Sequence, residues 1–179
     1  MIEKLLDEFM SCVESGDIEI YNEFSLQHEL GLFLRERVDG YKVQFERNTR
    51  YFDISDTIKH EIDIVVYNAD KKYAIELKFP VNGQYPEQMY SFVKDICFME
   101  QLKQAGFNNT YCLTAVVDSK FYAGKKTDGI YSFFRGNAPL SGVISKPTGQ
   151  REESVRLDGK YCIKWNTENK KYVYYVVSI

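Results

Sequence analysis

His60-Glu-Ile-Asp-Ile-Val-Val-Tyr67 and Tyr73-Ala-Ile-Glu-Leu-Lys-Phe79 lie on either side of the turn-like Asn68-Ala69-Asp70-Lys71. The pattern predicts two strands, 60–67 and 72–79, joined as a hairpin. Side chains alternate between faces along a strand. Ile62, Ile64 and Val66 should therefore share a core face with Ile75, Leu77 and Phe79. Glu61, Asp63 and Val65 should share the other with Ala74, Glu76 and Lys78. A turn centred on Ala69-Asp70 places residues whose numbers sum to 139 opposite one another. Asp63 then faces Glu76, and Glu61 faces Lys78.

Directly opposed side chains have Cβ atoms ~5 Å apart. Two carboxylates at that distance repel by about 3 kcal/mol at an effective dielectric near 20, and by far less in bulk water. An enclosed pair therefore calls for a cation. Mg²⁺ takes oxygen ligands and is held by one or two protein carboxylates together with substrate phosphate. Asp63 and Glu76 are the candidate ligands, with the backbone carbonyl of Leu77 as a third. Lys78 is placed to orient or deprotonate an attacking water, or to stabilise charge developing on phosphorus. An amphipathic hairpin with one solvated face produces the same alternation, so the pattern supports both a metal site and an ordinary hairpin. A one-residue slip in register would exchange the faces.

Working outward, residues 2–13 read as a helix with Leu5, Leu6, Phe9 and Val13 on one face and Gly16 as its stop. Residues 25–37 read as a second, with Ser25 as N-cap and Leu26, Leu30, Phe33 and Leu34 as its apolar stripe. Residues 41–47 alternate as a strand, and 48–59 are polar and read as a loop. Pro86 opens a long helix, about 86–105, that turns Met89, Phe92, Val93, Ile96, Cys97 and Leu102 inward. Asp95 on this helix reads as solvated or capping, and Gln88 in its first turn is placed to reach the acidic face. Residues 110–117 are apolar enough for an interior strand. Beyond Asp118, glycines and prolines punctuate short runs up to a closing hairpin, 160–165 with 171–177.

The chain has 179 residues, 44% of them apolar, enough for one well-buried domain over 1–179. No apolar run approaches the ~20 residues that span a bilayer. The opening residues lack the basic start and unbroken apolar stretch of a signal peptide, so the expected location is cytoplasmic and away from the membrane. Cys12, Cys97, Cys112 and Cys162 are widely spaced and lack nearby histidines. That spacing argues against structural zinc and disulfides, and each thiol reads as a buried small hydrophobe. His28 and His60 read as surface or hydrogen-bonding residues. The net charge of −3 runs against the basic excess usual in nucleic-acid binders.

Asp63, twelve intervening residues and then Glu76-Leu77-Lys78, with a helix before and after, resembles the PD-(D/E)XK nuclease superfamily. The resemblance covers about 25–118, a helix–three strands–helix–strand core. It implies an α/β restriction-endonuclease-like fold: a mixed central β-sheet flanked by helices, followed here by a β-rich C-terminal extension over about 119–179. It also implies metal binding by Asp63 and Glu76, catalytic assistance from Lys78, and a further glutamate on the preceding helix, for which Glu29 is the candidate. Ile62 stands where the motif's proline would be.

The expected activity is Mg²⁺-dependent hydrolysis of phosphodiester bonds as an endonuclease, with Mn²⁺ able to substitute and DNA as the partner. Lys120, Lys125, Lys126, Arg135, Lys146 and Arg151 are candidates for following a phosphate backbone. The 14 tyrosines offer either stacking surfaces or core filling. The rival readings are a nucleic-acid-binding or protein-interaction module without cleavage, and a hydrolase of smaller phosphate esters. Oligomeric state, a homodimer included, is not legible in the sequence.

Overall fold

The computed structural model describes residues 1–149, 153–167 and 171–179. Arg151 and the 168–170 part of the expected closing turn lie outside them. Helices α1 (Ile2–Ser15) and α2 (Glu23–Arg37) come first, then strands β1 (Lys42–Asn48), β2 (Glu61–Tyr67) and β3 (Lys72–Lys78). Helix α3 (Tyr85–Gln104) leads to β4 (Asn109–Val116), and a short α4 (Tyr131–Phe134) precedes β5 (Leu140–Ser145), β6 (Ser154–Tyr161) and β7 (Val173–Ser178). No described helix is long and apolar enough to cross a membrane.

Five strands form a mixed sheet in the order β1-β2-β3-β4-β7. Only the β3–β4 pair is parallel, as its long connection through α3 requires. Strands β5 and β6 form a separate two-stranded antiparallel sheet. The class is therefore α/β with a β-rich extension. The closing hairpin is corrected, however. Strand β7 pairs with β4 in the main sheet, and only an isolated bridge, Asn166 to Tyr174, links it to the segment before it. The apolar run Val173-Tyr-Tyr-Val-Val177 finds more surface to bury against the sheet than against β6, in which only Leu157 is buried.

Both faces of the sheet are covered. Leu6, Phe9 and Met10 of α1 and Leu26, Leu30 and Leu34 of α2 pack over Ile64, Val66, Ile75 and Leu77. On the other face, α3 packs over Val65, Ala74 and Cys112, and is itself covered by Leu140, Ile144 and Leu157 of the small sheet. A helix enclosed on two sides has no solvated stripe, which is how α3 comes to bury the carboxylates Asp95 and Glu100 along with its apolar residues. Glu100 accepts hydrogen bonds from the Asp158 and Gly159 amides at 3.0 and 2.6 Å and from the Tyr161 hydroxyl at 2.7 Å, fastening β6 to α3.

The expected face assignment holds for Ile64, Val66, Ile75 and Leu77 and fails at Ile62, which packs with the α3-side cluster instead. The switch coincides with Glu46, opposite Asp63 on β1, whose φ of 48° lies in the left-handed region. A non-glycine residue held there costs roughly 1–3 kcal/mol and marks a backbone that its surroundings over-determine. Among the cysteines, Cys97 and Cys112 are buried, Cys12 is half-buried and Cys162 is exposed, so the small-hydrophobe reading applies only to the first pair.

Candidate active site

The hairpin pairs in the expected register, Ile64 with Ile75 and Val66 with Tyr73, but the ladder stops there. Beyond Ile64 and Ile75 the strands part, while β3 stays paired to β4 through Lys78. This frees the amides on the β2 side of β3, and a buried amide needs an acceptor. The Asp63 carboxylate accepts from the Leu77 amide at 2.8 Å. The Glu23 carboxylate accepts from the Phe79 amide at 3.1 Å. Gln27 donates to the Asp63 carbonyl at 2.9 Å and to the Glu46 carboxylate, bracing the kinked point of β1 against β2.

Glu23 reaches this edge because α2 begins earlier than Ser25. Asn22 is the N-cap, its side chain accepting from the Ser25 amide at 2.7 Å, and the Ser25 hydroxyl accepts from the Asn22 amide at 3.1 Å. This reciprocal capping box satisfies the first free amides of the helix. It moves the start three residues upstream, so Glu23 and Gln27, one turn apart, both face the sheet edge. Glu29 lies about 200° around the helix from Gln27. It forms no hydrogen bond or ion pair with any described residue, and it is Glu23 of this helix that contacts Lys78 and the Phe79 amide.

The structure brings Asp63, Glu76 and Lys78 together and adds two residues. Asp95, read as solvated, is 4% exposed at the centre of the cluster. Lys59, from the loop before β2, donates to Glu76 and, at 3.0 Å, to Asp95. Lys78 donates to Glu23 at 3.1 Å and to the Leu77 carbonyl at 2.9 Å, and lies 3.6 Å from Asp95. The expected Glu61–Lys78 pair does not form: Glu61 is exposed and sits opposite Asn48. Gln88 donates to Asn82 instead of reaching the acids. The burial of Asp95 has a signal in the sequence, since it shares helical spacing with Phe92 and Met99. Lys59 lies in an unpatterned loop that carries no such signal.

Burial lifts the Asp63 carboxyl to about 6, against the opposing pull of the Leu77 amide and the two ammonium groups. Glu76 is pushed further above the usual carboxylate range, first by burial and then by Asp63 and Asp95, with Lys59 offsetting part of it. For Lys78, burial works downward but Asp95 and Glu23 outweigh it, and the net direction is up. Lys59 behaves likewise under Asp95 and Glu76. Both lysines are therefore cations at neutral pH. Lys78 can stabilise negative charge, but it is not set up to deprotonate water.

Among the described residues, no group of three or more His, Cys, Asp and Glu side chains is arranged as a preformed metal cage. The donor set is nevertheless of the oxygen type that Mg²⁺ takes with one or two carboxylates and its own waters. Asp95 Oδ2 is buried without a hydrogen bond and faces only the Lys78 ammonium, at 3.6 Å. A cleft of about 420 Å³ is lined by Phe79, Val81, Val117, Phe121 and Tyr172, and none of Asp63, Glu76, Lys78, Asp95 or Lys59 lines it.

The candidate phosphate-gripping lysines and arginines are only partly free. Arg135 donates to the carbonyls of Lys120 and Lys126, tying that loop together, and Lys146 pairs with Glu153. Lys120 follows the end of β4 at the same sheet edge as Lys78 and lies over the Tyr85 ring. His28, exposed, is stacked between Phe24 and Phe45. Compared with protein-family models, curated proteins and solved structures, the chain matches none of them.

Proposed function

We propose that this protein is a divalent-metal-dependent nuclease of the PD-(D/E)XK type that hydrolyses phosphodiester bonds in DNA. The observation that carries the reading is the convergence of Asp63, Glu76 and Lys78 where β2 parts from β3, with the carboxyls of Asp63 and Glu76 crowded and raised. Carboxylates that resist ionising beside one another are stabilised by a bound dication. Asp63 and Glu76 would hold Mg²⁺ or Mn²⁺. When bound, such an ion polarises a phosphoryl oxygen and lowers the pKa of its water. Lys78, fixed by Glu23 and the Leu77 carbonyl, presents an ammonium to charge developing on phosphorus. Gln27, through the Asp63 carbonyl, and the Leu77 amide, through its carboxylate, hold Asp63 in place.

One observation favours a second reading, a binding module without cleavage. Lys59 already neutralises Glu76 and Asp95, so the carboxylates are not without a cation. Incubating the purified protein with supercoiled, linear and branched DNA, with Mg²⁺, Mn²⁺ or EDTA, separates the two. The nuclease reading expects metal-dependent cleavage that is lost in Asp63→Ala, Glu76→Ala and Lys78→Ala. Binding to DNA without cleavage under any metal would assign the module, and equal degradation by all variants would indicate a contaminant.

A further inference from the structure

The members of the acidic cluster differ in how firmly they are held. Glu76 is fixed on a central strand and Asp95 within α3, their side chains 0% and 6% exposed. Lys78 is pinned by Glu23 and the Leu77 carbonyl. Lys59 belongs to neither helix nor strand, and its side chain is one-third exposed. Its ammonium nonetheless occupies the place between Glu76 and Asp95, while Asp95 Oδ2, buried, is left without a hydrogen bond. Of the two internal cations, Lys78 is pinned and faces Asp95 Oδ2 at 3.6 Å, whereas Lys59 sits on Glu76 and Asp95 Oδ1 and can leave by a solvent route.

We infer that Lys59 is a displaceable internal counter-ion: it holds the carboxylates in the metal-free protein and swings out when a divalent cation takes its place at Glu76. The inference rests on the metal reading above. Like charges in contact repel, so a dication on Glu76 and the Lys59 ammonium exclude one another. Lysine suits this role because its charge sits on a flexible four-carbon stem and is strongly hydrated once released. Lys59 is thus a positioning residue that sets the threshold for metal binding. It keeps the carboxylates from attracting other cations and keeps the buried charges compensated when no metal is present.

Calorimetric Mn²⁺ titration of the wild type and of Lys59→Met, which keeps the stem and removes the charge, tests this. Lys59→Met should bind Mn²⁺ more than about tenfold tighter, the equivalent of ~1.4 kcal/mol. It should also melt lower than wild type without metal and recover when Mn²⁺ is added. A purely structural lysine would give the lower melting temperature without the tighter binding. On the unmodified protein, amine acylation followed by mass spectrometry should label Lys59 faster with Mn²⁺ than without. This readout decides the matter even if the variant fails to fold. Equal or weaker Mn²⁺ binding by Lys59→Met overturns the inference and leaves the metal reading intact, as does Lys59 labelling that metal does not change. Mn²⁺ binding by neither protein overturns both.

Discussion

Asp63→Asn is the substitution whose effect the structure constrains most tightly. The two side chains have the same shape, and the asparagine oxygen can still accept from the Leu77 amide at 2.8 Å. The change therefore removes charge and little else. In the folded protein the Asp63 carboxyl lies at about 6, against its ordinary 3.8. A tenfold change in proton affinity is worth about 1.4 kcal/mol, so the full difference is on the order of 3 kcal/mol of stability. Because the folded value is raised, the favourable contribution is fully present below pH 3.8 and is lost as pH rises through about 6. Metal-free wild type should lose stability over that window relative to Asp63→Asn, and the gap should be complete by about pH 7. At about 2–4 °C per kcal/mol for a domain of this size, the variant should melt roughly 6–12 °C higher at pH 8 and nearly level with wild type at pH 4. Differential scanning calorimetry in chelated buffer at both pH values gives the comparison. Adding saturating Mn²⁺ at pH 8 should raise wild type by several degrees, since a hundredfold excess over Kd stabilises by about 2.7 kcal/mol, and should leave the variant flat. An Asp63→Asn protein that melts no higher than wild type at pH 8, with a gap that does not change with pH, would refute a crowded anionic site at Asp63.

Two further predictions concern the scaffold. A Cβ on Gly31 would lie 2.0 Å from the Phe45 ring, so Gly31→Ala should cost about 1–3 kcal/mol in urea unfolding, and Gly31→Ala with Phe45→Leu should recover part of it. Glu100→Ala leaves the Asp158 and Gly159 amides and the Tyr161 hydroxyl without their acceptor. Because these donors are only partly buried and water can reach some of them, the loss should total about 1–3 kcal/mol. Glu100→Gln, which keeps one acceptor oxygen, should cost clearly less in the same unfolding experiment.

The hairpin's register is legible in the sequence by itself, because alternation over 60–67 and 72–79 and one compact turn leave a single pairing that buries Ile64, Val66, Ile75 and Leu77 together. The helices are legible for the same reason: apolar periodicity and end signals are properties of consecutive residues. So is the proximity of Asp63, Glu76 and Lys78, since all three belong to one hairpin. What surrounds them is not. Whether Glu23 joins α2 and faces the sheet depends on where the helix starts, and a capping box three residues upstream of the expected cap settles that. Lys59 reaches Glu76 across the chain, and β7 joins β4 and not its sequence neighbour. Each of these depends on which backbone edges and apolar faces remain unpaired once the other elements have docked, and that competition between distant segments leaves no mark on the local pattern of either one.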